Sequence, residues 1–377
     1  MKRINLLDLA GEYELFADEV RRTANDVLDS QQFVNGPAVG ELEQALASRL
    51  DAGHAVAVSS GTDALLCSLM ALGVGVGDEV ILPTFTFIAT AGVVARSGAT
   101  PVFVDIDPKT FNLDPGLLEK AITPKTKAII VVHLFGQCAE MKRINTVADW
   151  HEIPVIEDAA QAICATYHGR QACTLGKIAC LSFYPTKNLG GFGEGGMVLT
   201  GDEELAGVVR SLRNHGEAKQ RYVCGRVGAN FRLDTMKAAL LLIKLKHLSD
   251  FTERRQRNAK LYDELLKNSP VTPPYVPEHH KPVYHQYSIL CEQRDELRDH
   301  LAECGVGSAV YYPIPLHLQE CFKPLGYNPG DLPVSEETGR RILSLPCHPM
   351  LSEDDVRHVA RCVLEFSRTS IPQSTEA

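Results

Sequence analysis

Between Ala55 and Thr200 the sequence keeps switching between two periodicities, and that alternation constrains the fold more than any other feature. Short apolar runs read as strands: Ala55–Val58, Val80–Leu82, Pro101–Asp105, Ala128–His133, Val155–Glu157, Cys180–Tyr184 and Met197–Thr200. Helical patterns fall between them. Two blocks lie within residues 41–72, split at Asp51–Ser60; Phe87–Ser97 is ended by Gly98, and Asp114–Ala121 and Met141–His151 follow. Ala128–His133 is so rich in apolar and β-branched residues that it predicts a strand buried on both faces. Strands and helices alternating at this spacing predict an α/β fold with a mostly parallel sheet covered on both sides. Ligands of such sheets sit at the carboxyl ends of the strands, so chemistry is expected just after a strand.

Past residue 200 the pattern changes. A long helical stretch, Thr235–Leu266, runs into Pro270–Pro282, whose five prolines resemble a boundary. Strand His285–Leu290, helix Asp295–Cys304, strand Gly307–Tyr311 and helix Glu353–Phe366 then predict a smaller α+β C-terminal domain. The division expected is 1–250 for a large domain with an N-terminal arm and 251–377 for the small one, with the tail Thr369–Ala377 frayed.

Composition excludes several classes. The chain has 377 residues, 45% hydrophobic and 23% charged, enough to bury a sizeable core and too apolar for disorder. A net charge of −9 without a long Lys/Arg run argues against wrapping nucleic acid or lying on anionic lipid. It leaves room for a small anionic ligand at a local site. No apolar run approaches a membrane span, and Asp8, Glu12 and Glu14 interrupt any signal-peptide core. Eleven scattered cysteines without a CxxC pair read as reduced thiols of a cytoplasmic protein, with neither a disulfide frame nor a zinc site. A cytoplasmic enzyme without a metal is expected.

Three clusters sit just after predicted strands. In Ser59-Ser60-Gly61-Thr62-Asp63-Ala64-Leu65 a small turn opens a helix, whose free N–H groups and dipole suit a phosphate; an ordinary N-cap by Thr62 or Ser60 is the alternative. In Val155-Ile156-Glu157-Asp158-Ala159-Ala160-Gln161 a carboxylate ends an apolar strand. Buried there, Asp158 needs a cationic partner, either a neighbouring Arg or Lys or a protonated ring nitrogen of a cofactor. In Ser182-Phe183-Tyr184-Pro185-Thr186-Lys187-Asn188-Leu189-Gly190 a lysine lies among small and hydrophobic residues before a run of glycines. Desolvation there would disfavour its ammonium form, which is what a Schiff-base nucleophile requires. Gly191–Gly196 also fits G-x-G-x-x-G, but it leads into a strand where the dinucleotide fingerprint needs a helix, and NAD is rejected on that ground. His279-His280 reads as a solvated loop and not a metal pair; His215 could touch substrate or cap a helix end.

Together the clusters suit one cofactor, with its phosphate at Gly61/Thr62, ring nitrogen at Asp158 and aldehyde at Lys187. The order SGTDAL, EDAAQA, SFYPTKNLG, GEGG, NFRLD resembles the DegT/DnrJ/EryC1/StrS sugar aminotransferases over essentially the whole chain. The resemblance implies an aspartate-aminotransferase-like fold, pyridoxal 5′-phosphate as cofactor, and a homodimer with active sites at the interface. By position it implies that Lys187 is the Schiff-base lysine and Asp158 the partner of the pyridine nitrogen. Phe87 would stack on the ring, and Gln161 would lie near the phenolic oxygen. Gly61, Thr62 and Ser182 would hold the phosphate, with Asn230 reaching it from the partner subunit. Arg232, Tyr311, Tyr312 and His317 match the sugar pocket.

The Phe-Tyr-Pro-Thr-Lys-Asn form is similar to members that aminate C3 of a nucleotide sugar, whereas C4 members more often show Phe-His-x-x-Lys. The nearest likeness is to transaminases of a UDP-2-acetamido-2-deoxy-3-keto-hexuronate, whose uronate carboxylate would suit Arg232. The implied donor is L-glutamate, and the implied product is an amino sugar for surface polysaccharide. The alternatives are amination of a dTDP-3-keto-6-deoxyhexose or a 4-keto sugar and, in another class, a non-catalytic regulator that keeps the cofactor. A dehydratase on the same fold would carry His in place of Lys187.

Overall fold

The alternation becomes a seven-stranded sheet in the computed structural model, which describes residues 3–370 except Lys219, Arg221 and Asn268. Its strands are β1 (His54–Val58), β2 (Glu79–Pro83), β3 (Thr100–Val104), β4 (Thr126–Val132), β5 (Val155–Asp158), β6 (Ile178–Ser182) and β7 (Gly196–Thr200). They lie in the order β1-β7-β6-β5-β4-β2-β3. All neighbours are parallel except around β7, which runs antiparallel to both β1 and β6. No helix crosses over between β6 and β7, and a parallel return needs one, so the chain turns straight back. The register then sets Val132 beside Asp158, Asp158 beside Cys180, and Ser182 beside Gly196, which also pairs with Val58. All three clusters therefore open at one edge of the sheet.

Both faces are covered. Ile129 and Val131 of β4 enter a core with Leu42, Leu46, Met141 and Ile144, while Ala128 and Ile130 enter another with Leu65, Leu69, Val93 and Val209. The helices on the second side are Gly61–Ala71, Ile88–Ser97 and Glu203–Arg213. Gly98 adopts φ +86° to end Ile88–Ser97, as the sequence predicts.

The helix Thr235–Leu266 continues through residue 250. Ala238, Leu241 and Leu248 belong to the sheet's core, while Ala259, Tyr262 and Leu266 belong to a third core with Ile4. That third core packs a two-stranded antiparallel ribbon, β8 (Tyr287–Leu290) and β9 (Ile342–Leu345), against helices Arg294–Glu303 and Glu353–Ser370. Gly307–Tyr311 is not the expected strand. Only Ala309 bridges to Ser344, because the chain leaves the ribbon so that Leu316 N can donate to the Thr84 carbonyl at 2.8 Å beside the main sheet. The ribbon's second strand is β9 instead. His280 is likewise no solvated loop residue: it is buried, bridges to Tyr167 and places Nε2 3.4 Å from Glu140. The N-terminal arm contains two helices, Leu9–Glu14 and Ala17–Ser30; Phe16, which caps the second, and Val20 within it pack on Leu240, Ile243 and Phe251. Residues 371–377 of the tail expected to fray lie outside the described residues.

Candidate active site

β6 ends at Ser182, and the next residues fold back on themselves. Gly191 N donates to the Phe183 carbonyl at 2.7 Å, and Phe183 N donates to the Gly195 carbonyl at 2.8 Å. A Cβ on Gly190 would lie 2.1 Å from the Pro185 carbonyl oxygen, so only glycine closes this loop. The loop carries Lys187 toward the end of β5. Part of the side chain stays accessible, yet protein surrounds its amine, and desolvation lowers the pKa to about 8 against the opposing pull of Asp158.

Asp158 ends β5 and is buried. Thr90 Oγ1 donates to its Oδ2 at 2.8 Å, and Ala160 N donates to its Oδ1 at 3.2 Å. Desolvation raises its pKa; Thr90, the Ala160 amide and Lys187 work in the other direction. The carboxylate and the amine thus lie within electrostatic reach of each other.

The third cluster closes the edge. Ser60, and not Thr62, caps the Gly61–Ala71 helix, accepting from Asp63 N at 3.0 Å. Ser59 and Ser60 hydroxyls donate to Asp63 at 2.6 and 2.9 Å, which leaves the Gly61 and Thr62 amides at the open end of the helix. A Cβ on Gly61 would come 2.6 Å from Ser182 Cβ, and one on Gly196 would come 2.3 Å from the Ser60 carbonyl oxygen. Gly61, Thr62 and Ser182 are therefore brought together.

Around this edge stand the expected ring neighbours. Gln161 Oε1 accepts from Phe135 N at 2.7 Å, and its Nε2 donates to the Tyr312 hydroxyl at 3.3 Å. Phe87, at the N-terminus of Ile88–Ser97, is 54% exposed, with its ring 6.2 Å from that of Tyr312. Tyr311 stacks edge-on to Tyr312 at 5.9 Å. Asn230 is exposed, and the following Phe231 carbonyl accepts from Ser59 N at 2.8 Å. Arg232 is half-buried and has no side-chain partner among the described residues.

His317 departs from expectation. It is buried, with Nδ1 2.8 Å from Thr84 Oγ1 and Nε2 3.2 Å from Glu336 Oε1. Both ring nitrogens are engaged inside the fold, so it braces the Tyr311–Pro315 segment and does not line a pocket. Sequence reasoning in turn missed Thr90. The available signal was a hydroxyl within an otherwise apolar helical stretch at the ligand edge of the sheet.

The donor set fits pyridoxal phosphate. Free amides and glycine-shaped space suit a phosphate, a buried carboxylate suits a pyridinium nitrogen, and a desolvated amine suits an aldehyde.

Comparison with known proteins places the chain in a family. Residues 15–364 match the DegT/DnrJ/EryC1/StrS aminotransferase family. The chain is 47% identical to the "pleiotropic regulatory protein" of Geobacillus stearothermophilus, over 97% of this chain and 99% of that one. It is 44% identical to the UDP-2-acetamido-2-deoxy-3-oxo-D-glucuronate aminotransferase of Pseudomonas aeruginosa, over 94% and 98%. Among solved structures, Streptomyces venezuelae DesV in complex with a ketimine intermediate superposes with a TM-score of 0.95 at 42% identity, covering 97% and 99%.

Proposed function

The chain belongs to the DegT/DnrJ/EryC1/StrS aminotransferase family, and on that premise we propose that it moves an amino group from L-glutamate to the 3-keto carbon of a UDP-linked hexuronate. The observation that carries the reading is the desolvated Lys187 facing the buried Asp158 beside a glycine-lined helix N-terminus. Identity to the Pseudomonas enzyme and the unpartnered Arg232, suited to a bidentate uronate contact, support the substrate. A cytoplasmic role in amino-sugar and surface-polysaccharide synthesis belongs to the same proposal. So does the division into a large domain, 1–250, and a small one, 251–377.

Pyridoxal 5′-phosphate, when bound, supplies an aldehyde that carries nitrogen and a ring that accepts the electrons of a carbanion. The chain does the rest. Gly61, Thr62 and Ser182 would hold the phosphate, and the Asp158 carboxylate would hold a proton on the ring nitrogen. Phe87 and Gln161 would confine the ring. Near neutral pH a fraction of Lys187 Nζ is unprotonated, because its pKa lies at about 8, so it can take a proton from the donor's Cα and later return one. Tyr311 and Tyr312 would form an aromatic wall that orients the sugar and excludes water. The test is a coupled assay with L-glutamate against UDP- and dTDP-linked 3-keto and 4-keto sugars. Preference for the UDP-3-keto-hexuronate is expected; exclusive turnover of a dTDP or 4-keto sugar would replace that substrate.

The name of the Geobacillus relative favours a second reading, a regulator that binds the cofactor without turnover. Change in the visible absorbance of the loaded protein on adding L-glutamate separates the two, since a regulator leaves it constant.

A homodimer with shared sites completes the proposal. Asn230 is exposed in the single chain, as are Tyr222, Val223 and Val227 in the preceding segment. Mixing Lys187→Ala and Asn230→Asp chains under subunit exchange should restore up to about half the activity per mixed dimer, because one site is then intact. No recovery, with exchange verified, would give each chain its own complete site.

A further inference from the structure

Asp158 is pinned through both oxygens by two different elements. Ala160 N, in the turn after β5, holds Oδ1 at 3.2 Å; Thr90 Oγ1, from the Ile88–Ser97 helix, holds Oδ2 at 2.8 Å. Thr90 is fully buried, and its hydroxyl lies 3.2 Å from that of Thr86. A buried helical threonine commonly donates back to the carbonyl four residues earlier. Thr90 instead meets the hydroxyl of that residue, Thr86, and the carboxylate across the sheet edge. Directions follow from the proton count. An ionised carboxylate only accepts, so the single Thr90 proton goes to Asp158, and Thr86 then donates to Thr90. Each bond polarises the next toward the carboxylate.

We infer that Thr90 is a positioning residue for this site, and that the Thr86–Thr90 hydroxyl chain holds the Asp158 carboxylate in the orientation that meets the ring nitrogen of the cofactor. The inference rests on the pyridoxal phosphate reading above. Without Thr90, one longer amide bond remains to fix the side chain, and rotation about its terminal torsion loses its second anchor. A threonine that merely satisfies the core would leave cofactor affinity untouched when replaced by its isostere.

The test compares Thr90→Val, Thr90→Ser and Thr86→Val. Equilibrium dialysis measures the affinity of each apoprotein for pyridoxamine phosphate, which needs neither Lys187 chemistry nor turnover. Thr90→Val is expected to weaken binding about tenfold, in line with losing one charge-assisted hydrogen bond, and Thr86→Val about threefold. Thr90→Ser should restore affinity to within about twofold of wild type.

The visible absorbance of the loaded protein, followed against pH, is the second readout. Asp158 is also faced by Lys187, His133, Tyr312 and Cys180, and these remain in every variant. Removing a donor disfavours the ionised carboxylate, so the acid limb should move up by about one pH unit in Thr90→Val and return in Thr90→Ser. Wild-type affinity and an unshifted profile in Thr90→Val would overturn the inference, as would a serine variant no better than valine. If Thr90→Val does not fold, the Thr90→Ser and Thr86→Val pair decides: a Thr86→Val protein with wild-type affinity and profile overturns the chain. Wild-type protein that binds no pyridoxamine phosphate would remove the cofactor reading itself, a result separate from any difference among variants.

Discussion

Glu157 and Asp158 are neighbours on β5, yet the two faces of the sheet treat them in opposite ways. Strand alternation sends Glu157 to the side of Val155 and Asp158 to the side of Ile156. Glu157 is wholly buried and accepts four hydrogen bonds: His133 Nε2 at 2.8 Å, Cys173 N at 2.8 Å, and Leu175 N and Gly176 N at 2.7 Å each. The histidine tautomer follows from geometry. Ala139 N donates to His133 Nδ1 at 3.1 Å, so the ring proton sits on Nε2 and points at Glu157. Asp158 receives two donors and faces an amine across the site. A carboxylate whose lone pairs are filled by its own fold is structural. One left with unfilled capacity beside a desolvated lysine is prepared for something else.

The sharpest way to break that comparison is Lys187→Ala. Transamination should fall by roughly four orders of magnitude, because both the carbonyl attachment and the proton carrier are lost. The apoprotein should be somewhat more stable at pH 7 by thermal melting. A depressed folded pKa penalises the ammonium below about 8, and alanine removes that penalty. Near wild-type turnover would dismiss Lys187.

Asp158→Asn comes next, with activity down about a hundredfold or more, since an amide cannot balance a pyridinium charge. Its folding should hold or improve near neutrality. The folded pKa is raised, so the acid's stabilising share is present below the unfolded pKa and is lost as pH rises through the folded one. As pH rises through the folded pKa that share gives way to the desolvation cost of the charge, which asparagine relieves. Full activity would make Asp158 as structural as its neighbour.

Glu157→Gln should do the reverse. One acceptor oxygen becomes a donor facing other donors, and stability should drop by about 4 kcal/mol in a urea titration while activity per folded molecule stays within a few-fold. The smallest effect is expected from His133→Leu, which removes one of the four donors and lowers stability by about 2 kcal/mol. If either variant lost catalysis without losing stability, the division between the faces would fail.

Much of this was legible in the sequence because it is local. Apolar runs mark strands, glycines mark where backbone comes close, and the chemistry clusters sit immediately after the runs. What was illegible depends on distant partners. Thr90 lies 68 positions from Asp158, and only the packed sheet introduces them. His317 belongs by sequence with the two tyrosines, but its anchor, Thr84, is 233 positions away and draws it inward. Gly307–Tyr311 has the composition of a strand and lacks a continuous partner. The N-terminal helices were missed because Phe16 and Val20 are sparse apolar marks that gain meaning only against Leu240 and Ile243.

The helix Thr235–Leu266 has 32 residues, a length of about 48 Å at the usual rise, and it lends side chains to the sheet's core, the C-terminal core and the cluster under the N-terminal arm. It therefore couples their melting. Losing the packing of Tyr262 and Leu266 frees the end of a helix whose other end holds Ala238 and Leu241, and the converse applies. The chain should accordingly denature in one cooperative step rather than shed its C-terminal part first, and amide protons along the helix should exchange at nearly uniform, slow rates.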